Sequence, residues 1–323
     1  MRFGVLGCAD IASRQLIPAL DRAGLPLVAV ASRDPDKAAR VADRFGCSAV
    51  AGYQQLLDRT DIDAVYIPLP VALHVPWAAA ALLAGKHVLV EKSLTNDAVA
   101  ARDLAKLAEK AGLLLMEDFM FLRHSAHRAV RELIEAGQIG EPRMFEAWFG
   151  IPPTDPGGIR YAAGLGGGAL PEVGTYPVRA AQLYLGDAPE VVGAALRHDP
   201  GCGVDVAGSA LLRDADGMTA HCGFGFEHSY RSGYAIWGSE GRLELDRAFT
   251  PPADHRPVLH LESGGRICDR VLEPDDQFRN IVREFAADAG SAERRAVHRA
   301  DIVRQAMLLD AVQRSASSAP PGR

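Results

Sequence analysis

Two stretches of the chain hold residues whose types and spacing suit chemistry. The run HVLVEKSLT, His87 to Thr95, ends an apolar segment on the charged pair Glu91-Lys92. The run GGGALPEVGTYP, Gly166 to Pro177, leads through three glycines into a helical pattern bearing Glu172 and Tyr176. An ammonium at a strand end can hydrogen-bond a carbonyl oxygen and stabilise negative charge growing on it. Glu91 beside it would hold Lys92 charged and oriented. A phenol is a poor acid at neutrality until a neighbouring ammonium lowers its pKa, which pairing Tyr176 with Lys92 would do. Glu172 and Tyr176 stand four residues apart, hence on one helical face. Consecutive glycines let a chain pass close to a ligand. A lone Glu-Lys dipeptide is more often an ordinary ion pair, so the surrounding elements decide its meaning.

Those elements alternate through the first third. Residues 2–6 form a short apolar strand, and 11–22 place Ile11, Leu16, Ile17 and Leu20 at helical spacing. A strand over LPLVAVASR leads to a helix with Asp34 as its N-cap and Gly46 just past its end. The spacing then predicts a strand over 62–69, a helix over 71–84, a strand over 87–91, a helix over 96–111 capped by Asn96, and a strand over 113–117. Apolar strands separated by helices indicate a parallel sheet covered on both faces. In such a sheet ligands sit outside the carboxyl ends of the strands, so Glu91 and Lys92 face a crevice.

After residue 122 the rhythm changes. A helix over HRAVRELIEAG precedes PRMFEAWFGI and a helix over 171–185. Strand-like segments then follow without intervening helices: VVGAALRHD, VAGSALLRD, MTAHCGFGFEH, YAIWGSEGRLELD and PVLHLES. They predict an antiparallel sheet, closed by helices over 275–289 and 299–314 and a disordered tail SASSAPPGR. The fold class is therefore α/β: an N-terminal doubly wound parallel sheet of Rossmann type plus a C-terminal α+β domain with a mainly antiparallel open sheet. The boundary is set between residues 122 and 123.

The first turn, GVLGCADIA, puts Gly7, Ala9 and Ala12 where dinucleotide folds use G-x-G-x-x-G/A, after a strand and opening a helix. Its backbone from Gly7 through Cys8, Ala9, Asp10 and Ile11 is the candidate pyrophosphate cradle. The second strand ends Ala31-Ser32-Arg33 in place of the acidic residue that holds the ribose hydroxyls of NAD. A hydroxyl and a guanidinium suit a 2'-phosphate, which selects NADP, although Asp34 one residue on can still take the NAD role.

Composition narrows the partners. A length of 323 residues suits two domains, and 24% charged with 48% hydrophobic residues is ordinary globular usage. A formal net charge of -6 disfavours nucleic acid, and no stretch approaches a membrane span. Cys8, Cys47, Cys202, Cys222 and Cys268 form no ligand cluster, so no metal is expected and the chain reads as reduced and cytoplasmic. Every cation beyond Lys110 is Arg or His, so a nucleoside diphosphate bound by the second domain would meet arginine, with Arg160, Arg179, Arg231, Tyr230 and Trp237 as candidates.

Together EKSL and GGGALPEVGTYP resemble the Gfo/Idh/MocA family, whose usual forms are EKP and GGG-x-L-x-D-x-G-x-H. Ser93, Glu172 and Tyr176 depart from its proline, aspartate and histidine. Tyrosine at that position resembles the family's sugar 3-ketoreductases, which act on nucleotide-linked deoxysugars in antibiotic biosynthesis; GCADIA, LLLMEDFMFL, IPPTDPGGIRY and EHSYRSGYAIWGSEGRLELDRAFTPP are similar to that subgroup too.

The resemblance implies an NADPH-dependent reductase of a keto group at C3 of a nucleotide-linked, dTDP-type sugar, with residues 1–122 holding NADP and 123–323 serving substrate binding and oligomerisation. Lys92 would polarise the carbonyl and Tyr176 supply the proton. Pro68, Leu69, His74 and Glu91 would line the cofactor, and Asp118, Arg160, Tyr161 and Glu172 the substrate. His74 equally suits a structural role, and His124 reads first as part of a hinge. An open sheet with one uncovered face implies a homo-oligomer, dimer or tetramer. Alternatives are an NAD(P)-dependent dehydrogenase of a free sugar or inositol, and a nucleotide-sensing regulator on the same fold.

Overall fold

Short, largely apolar strands need cover on both faces, and most of the N-terminal strands find it. The computed structural model describes residues 1–318. It divides into two compact units, the first made of Met1–Met120 and Phe278–Ala306, the second of Phe121–Gln277 and the described residues from Met307. The first unit is thus not one continuous stretch: Ile302 and Ala306, from the last helix, share a core with Val65, Val88 and Leu115, which no local pattern announces.

In the first unit, β1 (Phe3–Leu6), β2 (Leu27–Ser32), β3 (Ser48–Ala51), β4 (Ala64–Ile67), β5 (His87–Glu91) and β6 (Leu115–Asp118) form one sheet in the order β3-β2-β1-β4-β5-β6. All five pairings are parallel. The order reverses beside β1, the crevice where doubly wound sheets bind ligands. The short helix α1 (Ile17–Arg22) follows a π-helical turn over Ala12–Leu16. Next come α2 (Pro35–Phe45), α3 (Tyr53–Leu57), α4 (His74–Leu83) and α5 (Ala98–Ala111). Asp34 caps α2 as expected, its Oδ1 accepting from the Asp36 and Lys37 amides at 3.0 and 3.1 Å, and Gly46 ends it at φ 67°. The cap of α5 is Asp97 rather than Asn96. Thr95 Oγ1 accepts from the Asp97 amide at 3.0 Å, which carries the entry turn one residue further. Strand β3 escapes the sequence because its side chains are largely exposed and show no apolar alternation.

The second unit holds α6 (Ser125–Glu135), β7 (Pro142–Gly150), a π-turn over Leu170–Gly174 running into α7 (Thr175–Leu185), and β8 (Glu190–His198), β9 (Asp205–Arg213), β10 (Thr219–Gly225), β11 (Arg231–Gly238), β12 (Gly241–Asp246), β13 (Val258–Ser263) and β14 (Arg266–Val271). The eight strands form one sheet, β14-β13-β12-β11-β7-β10-β9-β8. It is antiparallel except at β7 and β10, which pair in parallel from Thr219↔Met144 to Gly225↔Gly150. The helix over 170–185 covers one face, where Phe145 stacks on Tyr184 at 5.2 Å between ring centres. Strand β14 was not expected; every residue in it is exposed, so no half-buried pattern marks it.

The last helices are α8 (Gln277–Asp288) and α9 (Ala292–Ser318). The second begins seven residues earlier than predicted and continues into the expected disordered tail, where Ser317 Oγ donates to the Gln313 carbonyl at 2.9 Å. The remainder of that tail, 319–323, lies outside the described residues.

Candidate functional site

The carboxyl ends of the first unit's strands gather most of the sequence candidates. Gly7, just beyond β1, has φ +121°, and a Cβ there would stand 2.8 Å from Leu69 Cδ2. Only glycine fits a turn that must both adopt this φ and lie against Leu69, so the turn presents backbone of the kind that a pyrophosphate cradle uses. The Gly7 amide donates to the Ala31 carbonyl at 2.9 Å, joining the ends of β1 and β2. Cys8 is buried within this turn, which pushes its thiol pKa up; Ala9, Asp10 and Ile11 follow.

At the end of β2, Ser32 Oγ accepts from the Asp34 amide at 3.1 Å. Arg33 is exposed and hydrogen-bonds the Tyr53 hydroxyl, whose pKa rises through burial and is pulled back by that guanidinium. Asp34 Oδ1 is engaged by two amides of α2. The Arg33 guanidinium at the end of this strand is a charge that can meet a phosphate, and the acidic residue that an NAD ribose would need serves the helix instead. These residues fit a 2'-phosphorylated dinucleotide.

Further along the same edge, Pro68 and Leu69 follow β4. His74, buried at the start of α4, contacts the Ser93 carbonyl through Nδ1 at 2.8 Å and the Leu69 carbonyl through Nε2 at 2.6 Å. It ties the loop after β4 to the loop after β5. Glu91 closes β5, and its Oε1 accepts from the buried Tyr66 hydroxyl at 2.5 Å. Lys92 follows, and the Lys92-Ser93 peptide is cis. Glu117 on β6 holds the next turn, its Oε1 accepting from the Leu94 amide at 2.7 Å. Asp118 is fully buried and sits opposite Glu91 in register. The motif EKSL is thus pinned from both neighbouring strands. Tyr66 and Glu117 lacked any sequence signal beyond their strand membership.

In the second unit Tyr176 lies at the start of α7, buried in an aromatic box. Its ring centre is 5.1 Å from Phe149 in an edge-to-face contact, 5.7 Å from Phe249 and 5.8 Å from Phe121. Glu172, in the preceding π-turn, forms an ion pair with Arg160 at 3.6 Å. The extra residue in a π-turn offsets the simple four-residue spacing on which a shared α-helical face was expected. Tyr161 packs edge-on against Phe226 at 5.5 Å. The glycines before the helix answer to protein neighbours: a Cβ at Gly167 would collide with the Arg160 carbonyl oxygen, and one at Gly168, where φ is +135°, with Asp205 Oδ1. Asp205 itself, buried at the start of β9, accepts from the Leu170 amide through Oδ2 at 2.6 Å. It is not among the candidates read from the sequence.

Two further candidates of this unit lie on the sheet face away from Tyr176. Trp237 is 58% exposed. It is three residues from Tyr234, whose hydroxyl accepts from Tyr184 of α7 at 2.9 Å, so it projects from the opposite sheet face. Arg231 lies on that outer face as well, its guanidinium 3.6 Å from the Trp148 ring centre. Arg231 and Trp148 line a depression of about 600 Å³ with Glu146, Ser209, His221 and Arg242. Phe149 meets Tyr176, so the adjacent Trp148 and this depression face away from the tyrosine. Tyr230 is exposed, its hydroxyl 3.4 Å from Thr250 Oγ1, and Arg179 donates to Gln182 Oε1 at 3.0 Å. His124 caps α6, its Nδ1 accepting from the Ala126 amide at 3.1 Å, and burial lowers its pKa.

Among the described residues, one group has metal-ligand spacing, Glu284, Asp288 and His298. Arg294 already bridges its carboxylates, 3.1 Å from each, and supplies the positive charge. No helix among these residues is long and apolar enough to cross a membrane.

Comparison with known proteins places this geometry. The GFO/IDH/MocA oxidoreductase family with its NAD-binding Rossmann fold matches residues 1–119, and the GFO/IDH/MocA C-terminal domain matches residues 127–244. The chain is 50% identical over 317 residues to a dTDP-3,4-didehydro-2,6-dideoxy-alpha-D-glucose 3-reductase of Actinomadura kijaniata, covering 98% of this chain and 96% of the relative. It is 35% identical over 320 residues to a D-xylose 1-dehydrogenase (NADP(+)) of Haloferax volcanii, covering 98% of both. The crystal structure of KijD10, a 3-ketoreductase from Actinomadura kijaniata in complex with NADP and TDP-benzene, matches with a TM-score of 0.95 and 49% identity over 98% of this chain and 97% of that one.

Proposed function

This chain belongs to the Gfo/Idh/MocA oxidoreductase family as an NADP-dependent sugar ketoreductase, and from that premise we propose that it reduces the C3 keto group of a dTDP-linked keto-deoxysugar. The observation that carries the proposal is the 50% identity, held over nearly the whole chain, to a reductase of that kind; the EKSL and GGGALPEVGTYP motifs support the roles given to Lys92 and Tyr176. NADPH, bound along the ends of β1, β2 and β4, supplies the hydride. Lys92 donates a hydrogen bond to the substrate carbonyl oxygen and stabilises the charge that develops there. Tyr176 delivers the proton to that oxygen. The aromatic box fixes the direction of the phenol, and Glu91 and Glu117 fix the segment that carries the lysine.

Residues 1–122 carry NADP in this reading, and 123–323 the sugar nucleotide. Asp118, Arg160, Tyr161 and Glu172 are the substrate residues it retains. The outer face of the eight-stranded sheet, with Trp148, Trp237 and Arg231, is the surface for a second copy of the chain. The compartment is the cytoplasm.

The likeness to a D-xylose dehydrogenase favours one rival, oxidation of a free sugar. Purified protein is assayed with NADPH and a dTDP-linked 3-keto-6-deoxyhexose, and in parallel with NADP and D-xylose or myo-inositol. Cofactor oxidation confined to the nucleotide-linked substrate is expected. Turnover of the free sugars alone would replace the proposal with the dehydrogenase, and cofactor binding without any turnover would favour a sensor.

A further inference from the structure

The helix bearing Tyr176 begins on a carboxylate from a strand far along the chain. We infer that Asp205 is a positioning residue for the reaction, holding the entry of the 170–185 helix so that the phenol keeps its direction; this rests on Tyr176 being the proton donor. Asp205 Oδ2 accepts from the Leu170 amide at 2.6 Å, and its carboxylate also takes the Ala169 amide. These are among the N–H groups that a helix leaves without intrahelical partners at its first turn, where the positive end of the helix dipole favours a negative charge.

Ordinary capping uses the residue just before the helix, yet Ala169 has no side-chain acceptor to offer there, and Gly168 before it, at φ +135°, sits in a conformation that L side chains rarely adopt. A Cβ at Gly168 would strike Asp205 Oδ1, so the glycine and the aspartate require one another. The carboxylate is carried by the first residue of β9, which pairs with His198 of β8.

Two further contacts transmit the placement. A Cβ at Gly174 would stand 2.8 Å from the Phe224 ring of β10, so the helix rests directly on the sheet two residues before Tyr176. Phe149 of β7 then meets the phenol ring. The sheet therefore fixes the same six-residue segment at its start through charge and at its end through packing. Loss of the charge frees the start, and a displacement of about 1 Å at a reacting group can cost on the order of 100-fold in rate.

Three variants, Asp205→Ala, Asp205→Asn and Asp205→Ala in a Tyr176→Phe background, are compared with wild type. Three quantities are read: kcat and KM with NADPH and the keto sugar, NADPH affinity by fluorescence, and amide hydrogen exchange of the 168–178 segment. For Asp205→Ala we expect kcat to fall about 10- to 100-fold with NADPH affinity unchanged, and exchange across 169–176 to quicken. Asparagine, which still accepts one amide, recovers most of the rate and should fold if alanine does not. In the Tyr176→Phe background the alanine variant costs little more. Unaltered exchange across 169–176 overturns the inference, as does an Asp205→Ala loss equally large in both backgrounds. A fully active Tyr176→Phe enzyme refutes the proton donor instead, and with it the catalytic role inferred for Asp205.

Discussion

The strand ends of the first unit and the helix entry of the second place functional groups by different means. Along β1, β2, β4 and β5 a candidate residue is located by where a strand stops, and its supports lie on the next strand: Glu91 on Tyr66 of β4, the Leu94 amide on Glu117 of β6. In the second unit Tyr176 is located by packing between elements distant in sequence, with Phe121, Phe149 and Phe249 around its ring and Asp205 at its helix start. A site built on strand ends tolerates change in side chains that project outward. A site built on packing is tied to the stability of its interior.

The largest effect expected from this contrast is in the interior of the second unit. His127 is buried, its Nδ1 2.9 Å from the Tyr234 hydroxyl, and burial, reinforced by His124, pushes its pKa from 6.5 down to about 3. The folded protein keeps this ring neutral where the unfolded chain protonates it. Its stabilising contribution is therefore complete above pH 6.5 and drains away as pH falls from there through about 3. Chemical denaturation at pH 7.5 and pH 5 should reveal a loss of ~2 kcal/mol from this ring, absent in His127→Phe. An equal pH dependence in that variant would show that the interior is not what titrates.

A smaller effect is expected at the first unit's edge. Arg33→Ala should raise KM for NADPH about tenfold, the scale of one hydrogen bond between charged groups, with KM for NADH and the melting temperature unchanged. If the melting temperature drops as well, Arg33 is a structural partner of Tyr53 before it is a phosphate ligand.

The same contrast explains what could be read before folding. Asp34 and Gly46 announced α2 because a cap and a left-handed stop are local events, decided within a few residues. The EKSL and glycine-rich motifs were legible for the same reason. The return of residues 278–306 to the first unit was not, since a helix does not declare which sheet it will cover. Asp205 and Phe249 were invisible as well: their roles exist only through the register of β9 and the packing beside β7. Trp237 attracted notice by its type, yet the alternation of β11 turns it outward. The glycines before the helix invited a ligand reading, whereas the Arg160 carbonyl and the Asp205 carboxylate already require them.

The account centres on an ammonium and a phenol acting on one substrate oxygen. Single-turnover hydride transfer from NADPH in Lys92→Ala, Tyr176→Phe and the double variant tests it most directly. The single variants should slow transfer by roughly 100- to 1,000-fold while leaving NADPH affinity intact, and the double variant should lose far less than the product of the two, because both groups serve the same atom. Transfer at the wild-type rate in either single variant, or losses that multiply in full, would contradict it.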